Sequence, residues 1–229
     1  MKPLIIIPAR AGSKGLPGKN WKCLNGKPLV QYSIEVSLEL FDKQQVCITT
    51  DSKEVIAIAD SLGVSVPFLR PESLASDTAS SQEVILHALK YWEENFYTPD
   101  VVVLLQPTSP FRRAKQVCEA IKLYDSFIDL VVGVKETKAN PYYILREEDK
   151  NGFLIPSKQG NFTRRQDCPK VYEVNGAIYV INPKSLKEKS MQSFDKIVKY
   201  EMNEISSHDI DDEIDWMVAE ALIQNNKKI

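Results

Sequence analysis

Short, continuous apolar runs alternate along this chain with segments whose apolar positions follow a helical period. Leu4–Ile7 and Val101–Leu105 consist entirely of branched aliphatic residues. Such uninterrupted runs are typical of parallel strands that are covered on both faces. Ser81–Asn95 instead carries the 3.6-residue apolar stripe of an amphipathic helix. The alternation of these two patterns predicts an α/β fold with a doubly wound, mostly parallel sheet.

The same reading gives boundaries for the other elements. The predicted strands are Leu4–Ile7, Gln45–Thr50, Val64–Leu69, Val101–Leu105, Leu130–Val134, Asn175–Ile181 and an edge strand at Lys196–Tyr200. The predicted helices begin near Pro28 and cover Lys53–Leu62, Ser81–Asn95, Ala114–Tyr124 and a C-terminal helix with Ile214, Met217, Val218, Ala221 and Leu222 on its packed side. Ligands of such sheets bind at the carboxyl ends of strands. We therefore expect the loop after the first strand, Arg70-Pro71 and Gln106-Pro107 to face one crevice.

The pattern changes between residues 135 and 172. This stretch is polar and turn-rich, with Asn140-Pro141, the charged segment Glu147–Gly152 and the pair Arg164-Arg165. We interpret it as an excursion from the sheet rather than another strand–helix unit. The expected organisation is one domain over residues 1–229, with residues 135–172 inserted in it.

A loop rich in glycine and lysine follows the first predicted strand, where backbone N–H groups and ammonium groups can bind a phosphate. It does not fit a Walker A loop, because five residues separate Gly12 from Gly18 and Asn20 stands in place of Ser or Thr. The spacing of Gly12 and Gly15 also breaks the dinucleotide-binding fingerprint. The loop is therefore predicted to bind phosphate in some other way.

Four charged residues are the candidates for chemistry at this loop. Arg10 and Lys19 bracket it and are predicted to contact phosphate. Asp209 and Asp211 precede the C-terminal helix, where an acidic run taken alone is typical of a helix cap. Beside a phosphate loop, the same two carboxylates are the oxygen ligands that Mg²⁺ prefers. The chain offers no supported Ser/His/Asp or Cys/His set for a covalent nucleophile.

Composition narrows the class of protein. The 229 residues carry 29 basic and 31 acidic side chains, a net charge of −2, so no general attraction to nucleic acid or to a membrane surface is expected. The four cysteines are widely spaced and fit no metal pattern, and no apolar run approaches the roughly twenty residues of a membrane span. We expect a cytoplasmic protein with no nucleic-acid or membrane partner.

Read together, the motifs resemble those of the CMP-sialic acid synthetases, or acylneuraminate cytidylyltransferases. The resemblance covers nearly the whole chain in the family's order. The matching segments are Ile7–Pro17 with Lys19-Asn20, Thr50-Asp51, Arg70-Pro71, Leu74–Ser81, Leu105–Pro110, Arg165-Gln166, Asn175–Tyr179 and Asp209–Asp211.

This resemblance implies a Rossmann-like nucleotidyltransferase fold and a Mg²⁺-dependent transfer of CMP from CTP to the 2-hydroxyl of an acylneuraminate-type sugar. It assigns Arg10, Lys19, Asp209 and Asp211 to catalysis, and Asp209 and Asp211 to Mg²⁺. Nucleotide contacts are implied for Ala9, Arg10, Gly12, Ser13, Lys19, Asn20, Arg70, Ala79 and Ser81. Sugar contacts are implied for Gln106, Arg165 and Asn175.

The resemblance also implies a homodimer, in which the 135–172 excursion reaches the partner's site. N-acetylneuraminate is the expected acceptor. Glu173 stands where relatives carry a basic residue, and Arg164 and Asp167 also depart from the pattern. Deaminated, legionaminic, pseudaminic and eight-carbon keto-acid sugars are therefore kept as alternatives, together with a non-catalytic nucleotide-binding homologue.

Overall fold

The computed structural model describes residues 1–12 and 15–225, and strands alternate with helices through most of this range. The strands are β1 Pro3–Pro8, β2 Cys23–Leu24, β3 Lys27–Pro28, β4 Val46–Thr49, β5 Val101–Leu104, β6 Leu130–Glu136, β7 Arg146–Glu148, β8 Leu154–Pro156, β9 Tyr172–Ile181 and β10 Ile197–Glu201. The α-helices are α1 Leu29–Leu38, α2 Lys53–Ser61, α3 Glu72–Ala75, α4 Ser81–Asn95, α5 Ala114–Lys122, α6 Pro183–Glu188 and α7 Glu213–Asn225. Among the described residues, no helix combines the length and the apolar character needed to cross a membrane.

Six strands form the central sheet, in the order β10-β6-β9-β5-β1-β4. β1 pairs in parallel with both β4 and β5, and β10 pairs in parallel with β6. β9 runs antiparallel to both of its neighbours. The prediction of a mostly parallel α/β sheet is confirmed. The chain leaves β1 towards β4 on one side and later returns to β5 on the other, so a crevice opens at the carboxyl end of β1.

Both faces of the sheet are covered, as the unbroken apolar runs predicted. On β1, Ile5 and Ile7 point into one core with residues of α1, α2 and α5, whereas Leu4 and Ile6 point into a second core with α4 and α6. All four side chains are fully buried. At roughly 2 kcal/mol for each buried aliphatic side chain, this strand anchors the loop that follows it.

Two predicted elements differ from the structure. Val64–Leu69 is not a strand and makes a single bridge, from Leu69 to Thr50. Pro67 explains the difference, because proline has no N–H to donate to a strand ladder. The predicted packed side of the C-terminal helix is also wrong except at Leu222, since α7 buries Trp216 and Ala219 and leaves Met217 62% exposed.

A third apolar cluster explains how α7 is oriented. Trp216 and Ala219 pack with Leu16 of the glycine-rich loop and with Ile210. Contact with this loop, rather than the longest apolar stripe of the helix, therefore decides which side of α7 is buried. The packing brings the acidic segment before α7 to the carboxyl end of β1.

Residues 137–171 lie outside the six-stranded sheet. They contain a small hairpin in which β7 pairs antiparallel with β8. Phe153 and Leu154 of this hairpin are 69% and 71% exposed. The assignment of this excursion to dimerisation and sugar binding stays a prediction.

Asp129 is expected to make the stability of the fold depend on acid pH. Its buried carboxylate accepts hydrogen bonds from Ser185 Oγ at 2.5 Å, Lys189 Nζ at 2.9 Å and two backbone N–H groups, and these bonds lower its pKa well below the usual range. A lowered pKa stabilises the folded chain fully above the unfolded-state value of about 4, and this contribution is lost as the pH falls below it. We expect Asp129→Asn to cost roughly 2 kcal/mol at pH 7.

Urea unfolding at pH 7 and pH 3 would test this expectation. The difference in unfolding free energy between wild type and Asp129→Asn should shrink at pH 3. Asp195→Asn is the control, because Asp195 binds the same Lys189 from an exposed position. An equal cost for the Asp129 variant at both pH values would contradict the assignment.

Candidate active site

A cavity of about 680 Å³ opens at the carboxyl ends of β1 and β5. It is the crevice predicted from the loops after the strands. The predicted site residues that line it are Arg10, Gly12, Lys19, Asn20, Arg70, Ala79, Ser81, Gln106, Asp209 and Asp211. The fold therefore gathers residues that are up to two hundred positions apart in sequence around one space.

The glycine-rich loop is fastened where it leaves β1. The backbone N–H of Ala11 donates to Asp51 Oδ1 at 2.7 Å, and Asn20 Nδ2 donates to the Arg10 carbonyl at 2.9 Å. Asn20 is nearly buried. Thr50 Oγ1 donates to the carbonyl of Ala9, so the end of β4 supports the loop as well. These bonds hold the loop against the sheet on both sides of its glycines.

Lys19 connects the loop to the acidic segment before α7. Its Nζ donates to the Ile210 carbonyl at 2.6 Å and lies 3.3 Å from Asp211 Oδ1, and the side chain is only 9% exposed. The two segments also meet at Gly15, where a Cβ atom would lie 2.3 Å from the Asp211 carbonyl oxygen. The predicted phosphate contact and the predicted metal ligands therefore share one corner of the cavity.

The surroundings of the Asp209 carboxylate suit the binding of a cation. No residue that the structure describes makes a hydrogen bond to its buried Oδ1, and burial raises the pKa of the side chain above its usual value. Asp211 is 78% exposed at the same cavity. Among the described residues no group of three or more His, Cys, Asp or Glu forms a metal cluster. Two carboxylates suit Mg²⁺, which keeps waters and takes phosphate oxygens as its other ligands.

The far end of the cavity contains the residues assigned to the base. Arg70 is 4% exposed and lies with Ala79 and Ser81 along the cavity wall. Arg10 Nη2 pairs with Asp77 at 2.8 Å, so the glycine-rich loop contacts the segment that follows α3. The cavity is also lined by Leu74, Val84 and Ile85, and such apolar side chains suit the binding of a planar ring.

The residues assigned to the sugar lie beside Asp209. At Gly176, which has φ +73°, a Cβ atom would lie 2.7 Å from Gln106 Oε1 and 3.3 Å from Asp209 Oδ2. Gln106 and Asp209 therefore flank a backbone position that only glycine fits. Asn175 is buried, donates to Ser207 Oγ at 2.9 Å and accepts from the backbone N–H of Ala177. It lines a neighbouring cavity of about 410 Å³ that also reaches Asp209.

Three of the predicted site residues that the structure describes do not line the main cavity, namely Ala9, Asn175 and Arg165. Ala9 is fully buried behind it, and its N–H donates to the Thr49 carbonyl. Arg165 is exposed on the 137–171 excursion and lines neither of the two cavities described. Ser13 lies outside the described residues. The roles of all the predicted site residues stay predictions, although the positions of most of them agree with the expected crevice.

Arg112 is a residue that sequence reasoning missed. It is 3% exposed, and its guanidinium donates to the carbonyls of Gln106 at 2.7 Å and Ala177 at 2.6 Å and to Ser33 Oγ. Burial lowers its pKa to about 9. It therefore links the loop after β5 to β9 directly behind the Gln106 side of the cavity. The available signal in the sequence was the pair Arg112-Arg113, which carries the only charges in the loop between β5 and α5.

The sequence matches known proteins over nearly its whole length. Residues 4–226 match the cytidylyltransferase family model. The chain is 33% identical to a CMP-N,N'-diacetyllegionaminic acid synthase of Legionella pneumophila, over 100% of this chain and 99% of that protein. It is 39% identical to an N-acylneuraminate cytidylyltransferase of Escherichia coli, over 100% of this chain but only 54% of that protein.

A solved structure supports the fold independently. A CMP:2-keto-3-deoxy-manno-octonic acid synthetase complexed with CTP superposes with a TM-score of 0.71, covering 99% of this chain and 100% of the other at 18% identity. At that identity the likeness is one of fold. The family match spans nearly all of the sequence, and the Legionella relative aligns with it from end to end. This chain therefore belongs to the cytidylyltransferase family.

Proposed function

We propose that this chain transfers CMP from CTP to the anomeric 2-hydroxyl of a nonulosonic acid and releases pyrophosphate. The observation that carries the proposal is the single cavity that joins a buried arginine, Arg70, to a glycine-rich loop with Lys19 and to the carboxylates Asp209 and Asp211. The relatives named above supply the class of acceptor, because their names refer to neuraminic and legionaminic acids.

In this proposal the nucleotide lies along the cavity from Arg70 to Asp211. Cytosine presents O2 and N3 as acceptors to Arg70, while Lys19 and the backbone N–H groups of the glycine-rich loop bind the phosphates. Lys19 is held between the Ile210 carbonyl and Asp211, so its charge is already in place when the triphosphate arrives. Such preorganised charge stabilises the transition state of phosphoryl transfer.

The acceptor sugar lies on the Gln106 side, next to Asp209. Its hydroxyl oxygen attacks the α-phosphorus in line and loses its proton to solvent, while the bond from that phosphorus to the pyrophosphate oxygen breaks and pyrophosphate leaves. The unpartnered Oδ1 of Asp209 and the carboxylate of Asp211 would hold Mg²⁺. When bound, Mg²⁺ neutralises phosphate charge and acts as a Lewis acid. Arg112 keeps the Gln106 backbone in position from behind.

N-acetylneuraminate is the first acceptor to test, and legionaminic acid derivatives are the second. Glu173, which departs from the pattern of the sialic-acid enzymes, pairs with Lys135 at 2.8 Å on the wall of the smaller cavity. The other carboxylates that line this cavity are Glu204, Asp209 and Asp215, so the wall carries a net negative charge that would repel a carboxylate. We therefore propose that substituents of the sugar, rather than its carboxylate, are read there.

Pyrophosphate release with CTP, Mg²⁺ and a panel of nonulosonic acids tests the proposal. Release should require one of these sugars and should fall to background in Asp211→Asn, the matched inactive control. Equal release with a hexose 1-phosphate would contradict the acceptor class. Binding of CTP without turnover on any acid sugar would instead favour a non-catalytic nucleotide-binding homologue.

We further propose that a second copy of the chain covers the exposed apolar side chains. Phe153 and Leu154 on the β7–β8 hairpin and Ile214 and Met217 on α7 are all more than 60% exposed. Arg165 lies on the same excursion as the hairpin and would reach the partner's site.

Light scattering tests this proposal. The wild-type protein should give twice the chain mass, and Leu154→Asp should shift the measured mass towards that of the monomer. A monomeric wild type would contradict the homodimer.

A cytoplasmic location is proposed as well. All four cysteines are free thiols in the structure, including Cys23, which is exposed. Free exposed thiols fit a reducing compartment. Localisation of a tagged chain by cell fractionation tests this assignment.

A further inference from the structure

The buried Arg70 is fixed by one neighbouring residue. Its Nε donates to Thr49 Oγ1 at 3.1 Å, and its Nη2 donates to the Thr49 carbonyl at 2.5 Å. Thr49 is the last residue of β4 and is fully buried. The backbone N–H of Arg70 donates to the Thr50 carbonyl at 2.8 Å, which fixes the main chain as well. Two of the three guanidinium nitrogens are therefore held by one residue, Thr49, through its side-chain hydroxyl and its backbone carbonyl.

The third nitrogen, Nη1, has no hydrogen bond to any described residue, and no carboxylate in that part of the chain lies within 4 Å of the guanidinium of Arg70. Burial lowers the pKa of Arg70, but only to about 10, so the group carries its charge at neutral pH. A buried charge without a partner is costly unless a ligand supplies acceptors. Arg70 lines the cavity, where such a ligand would lie.

We propose that Thr49 is a positioning residue that holds the Arg70 guanidinium in the orientation that favours cytosine over uracil. The inference rests on the proposed function, because it assumes that the cavity binds CTP. N3 of cytosine is an acceptor, whereas N3 of uracil carries a hydrogen and is a donor. Because Thr49 holds two nitrogens of the guanidinium, the group cannot rotate its remaining N–H donors away from N3 of the base. With uracil, these donors would therefore face the N3–H donor of the base. Selectivity then depends on the hydroxyl of Thr49, which touches no nucleotide.

Thr49→Val removes the hydroxyl acceptor but keeps the shape of the side chain and its carbonyl. We expect the KM for CTP to rise roughly tenfold, the size expected for loss of one hydrogen bond to a charged group, with kcat within about twofold. The ratio of kcat/KM for CTP over UTP should fall roughly tenfold. Thr49→Ser keeps the hydroxyl and should retain the wild-type ratio within about threefold.

Thr50→Val is the matched control. Thr50 is also fully buried, but its hydroxyl donates to the Ala9 carbonyl rather than binding Arg70. Loss of the Thr50 hydroxyl should change kcat/KM for CTP and for UTP by the same factor, so that the ratio of the two values stays unchanged. Arg70→Lys is the second test, because one ammonium group cannot be held at two nitrogens. Arg70→Lys should lose the preference for CTP over UTP. This variant provides a test even if Thr49→Val does not fold.

An unchanged CTP/UTP ratio in Thr49→Val or Arg70→Lys would overturn the inference, and so would a Thr49→Ser variant as impaired as Thr49→Val. Equilibrium binding of CTP and UTP, measured by calorimetry, separates this result from the proposed function. If no sugar supports turnover, the proposed function fails. A wild-type preference for CTP that disappears in Thr49→Val would still support the role of Thr49.

Discussion

Asp209→Asn is expected to abolish turnover while the chain stays folded. The wild-type side chain is partly buried, its Oδ1 is fully buried with no partner among the described residues, and burial raises its pKa, so removal of its charge relieves a cost in the free protein. We expect the melting temperature to be unchanged or higher. The proposed Mg²⁺ would lose an anionic ligand, and kcat should fall by about 10³-fold or more, in line with the loss of a major electrostatic contact in the transition state.

Glu213→Gln is the matched control for that experiment. Glu213 also lies in the acidic run but is exposed, and its carboxylate pairs with Lys22 at 3.3 Å on the surface. Such a pair contributes less than about 1 kcal/mol. Its activity should stay within about twofold of wild type. A Glu213 variant as inactive as Asp209→Asn, or an Asp209 variant that retains a tenth of wild-type activity, would contradict the assignment.

Gly15→Ala is expected to separate the phosphate loop from the segment that carries Asp211. The new Cβ would lie 2.3 Å from the Asp211 carbonyl oxygen, and both groups are backbone, so one segment must move. A displacement of about 1 Å at a reacting centre can cost about 10²-fold in rate. We expect kcat/KM for CTP to fall by about that factor. The unfolding midpoint should fall by several degrees, because the contact packs the loop against α7.

Gly12→Ala tests whether the effect comes from contact rather than from the loss of glycine as such. Within the described part of the chain, no atom outside its two chain neighbours lies within 4 Å of a Cβ atom placed at Gly12. Its unfolding midpoint should match that of wild type, measured by calorimetry under the same conditions. If both variants lose equal stability, the contact between Gly15 and Asp211 is not what holds the two segments together.

The two glycines show where sequence reasoning stopped. Both belong to a loop whose composition and position after β1 predict phosphate binding. Spacing alone does not say that Gly15 meets Asp211, because nearly two hundred residues separate them in the chain. Arg112 was missed for the same reason, since its partners at Ser33, Gln106 and Ala177 come from three different elements.

The α7 helix is a second instance. Its longest apolar stripe predicted that Met217 is packed, whereas the structure buries Trp216 and Ala219 against Leu16 and Ile210. An apolar stripe shows which side of a helix is hydrophobic, but it does not show which neighbouring surface the helix packs against. The prediction of a strand at Val64–Leu69 failed for a simpler reason, because Pro67 is present in the sequence and a proline argues against a strand.

The sequence by itself determined the mostly parallel sheet, the position of the glycine-rich loop after its first strand, and the family. Unbroken branched runs such as Leu4–Ile7 are stable only when both faces are covered, so the doubly wound architecture follows from local pattern. The tertiary structure decided which side chains meet. It placed Lys19 against Asp211, fixed Arg70 on Thr49 and left Asp209 Oδ1 without a partner. These contacts join distant segments, and their geometry is set by packing across the sheet, which no local pattern encodes.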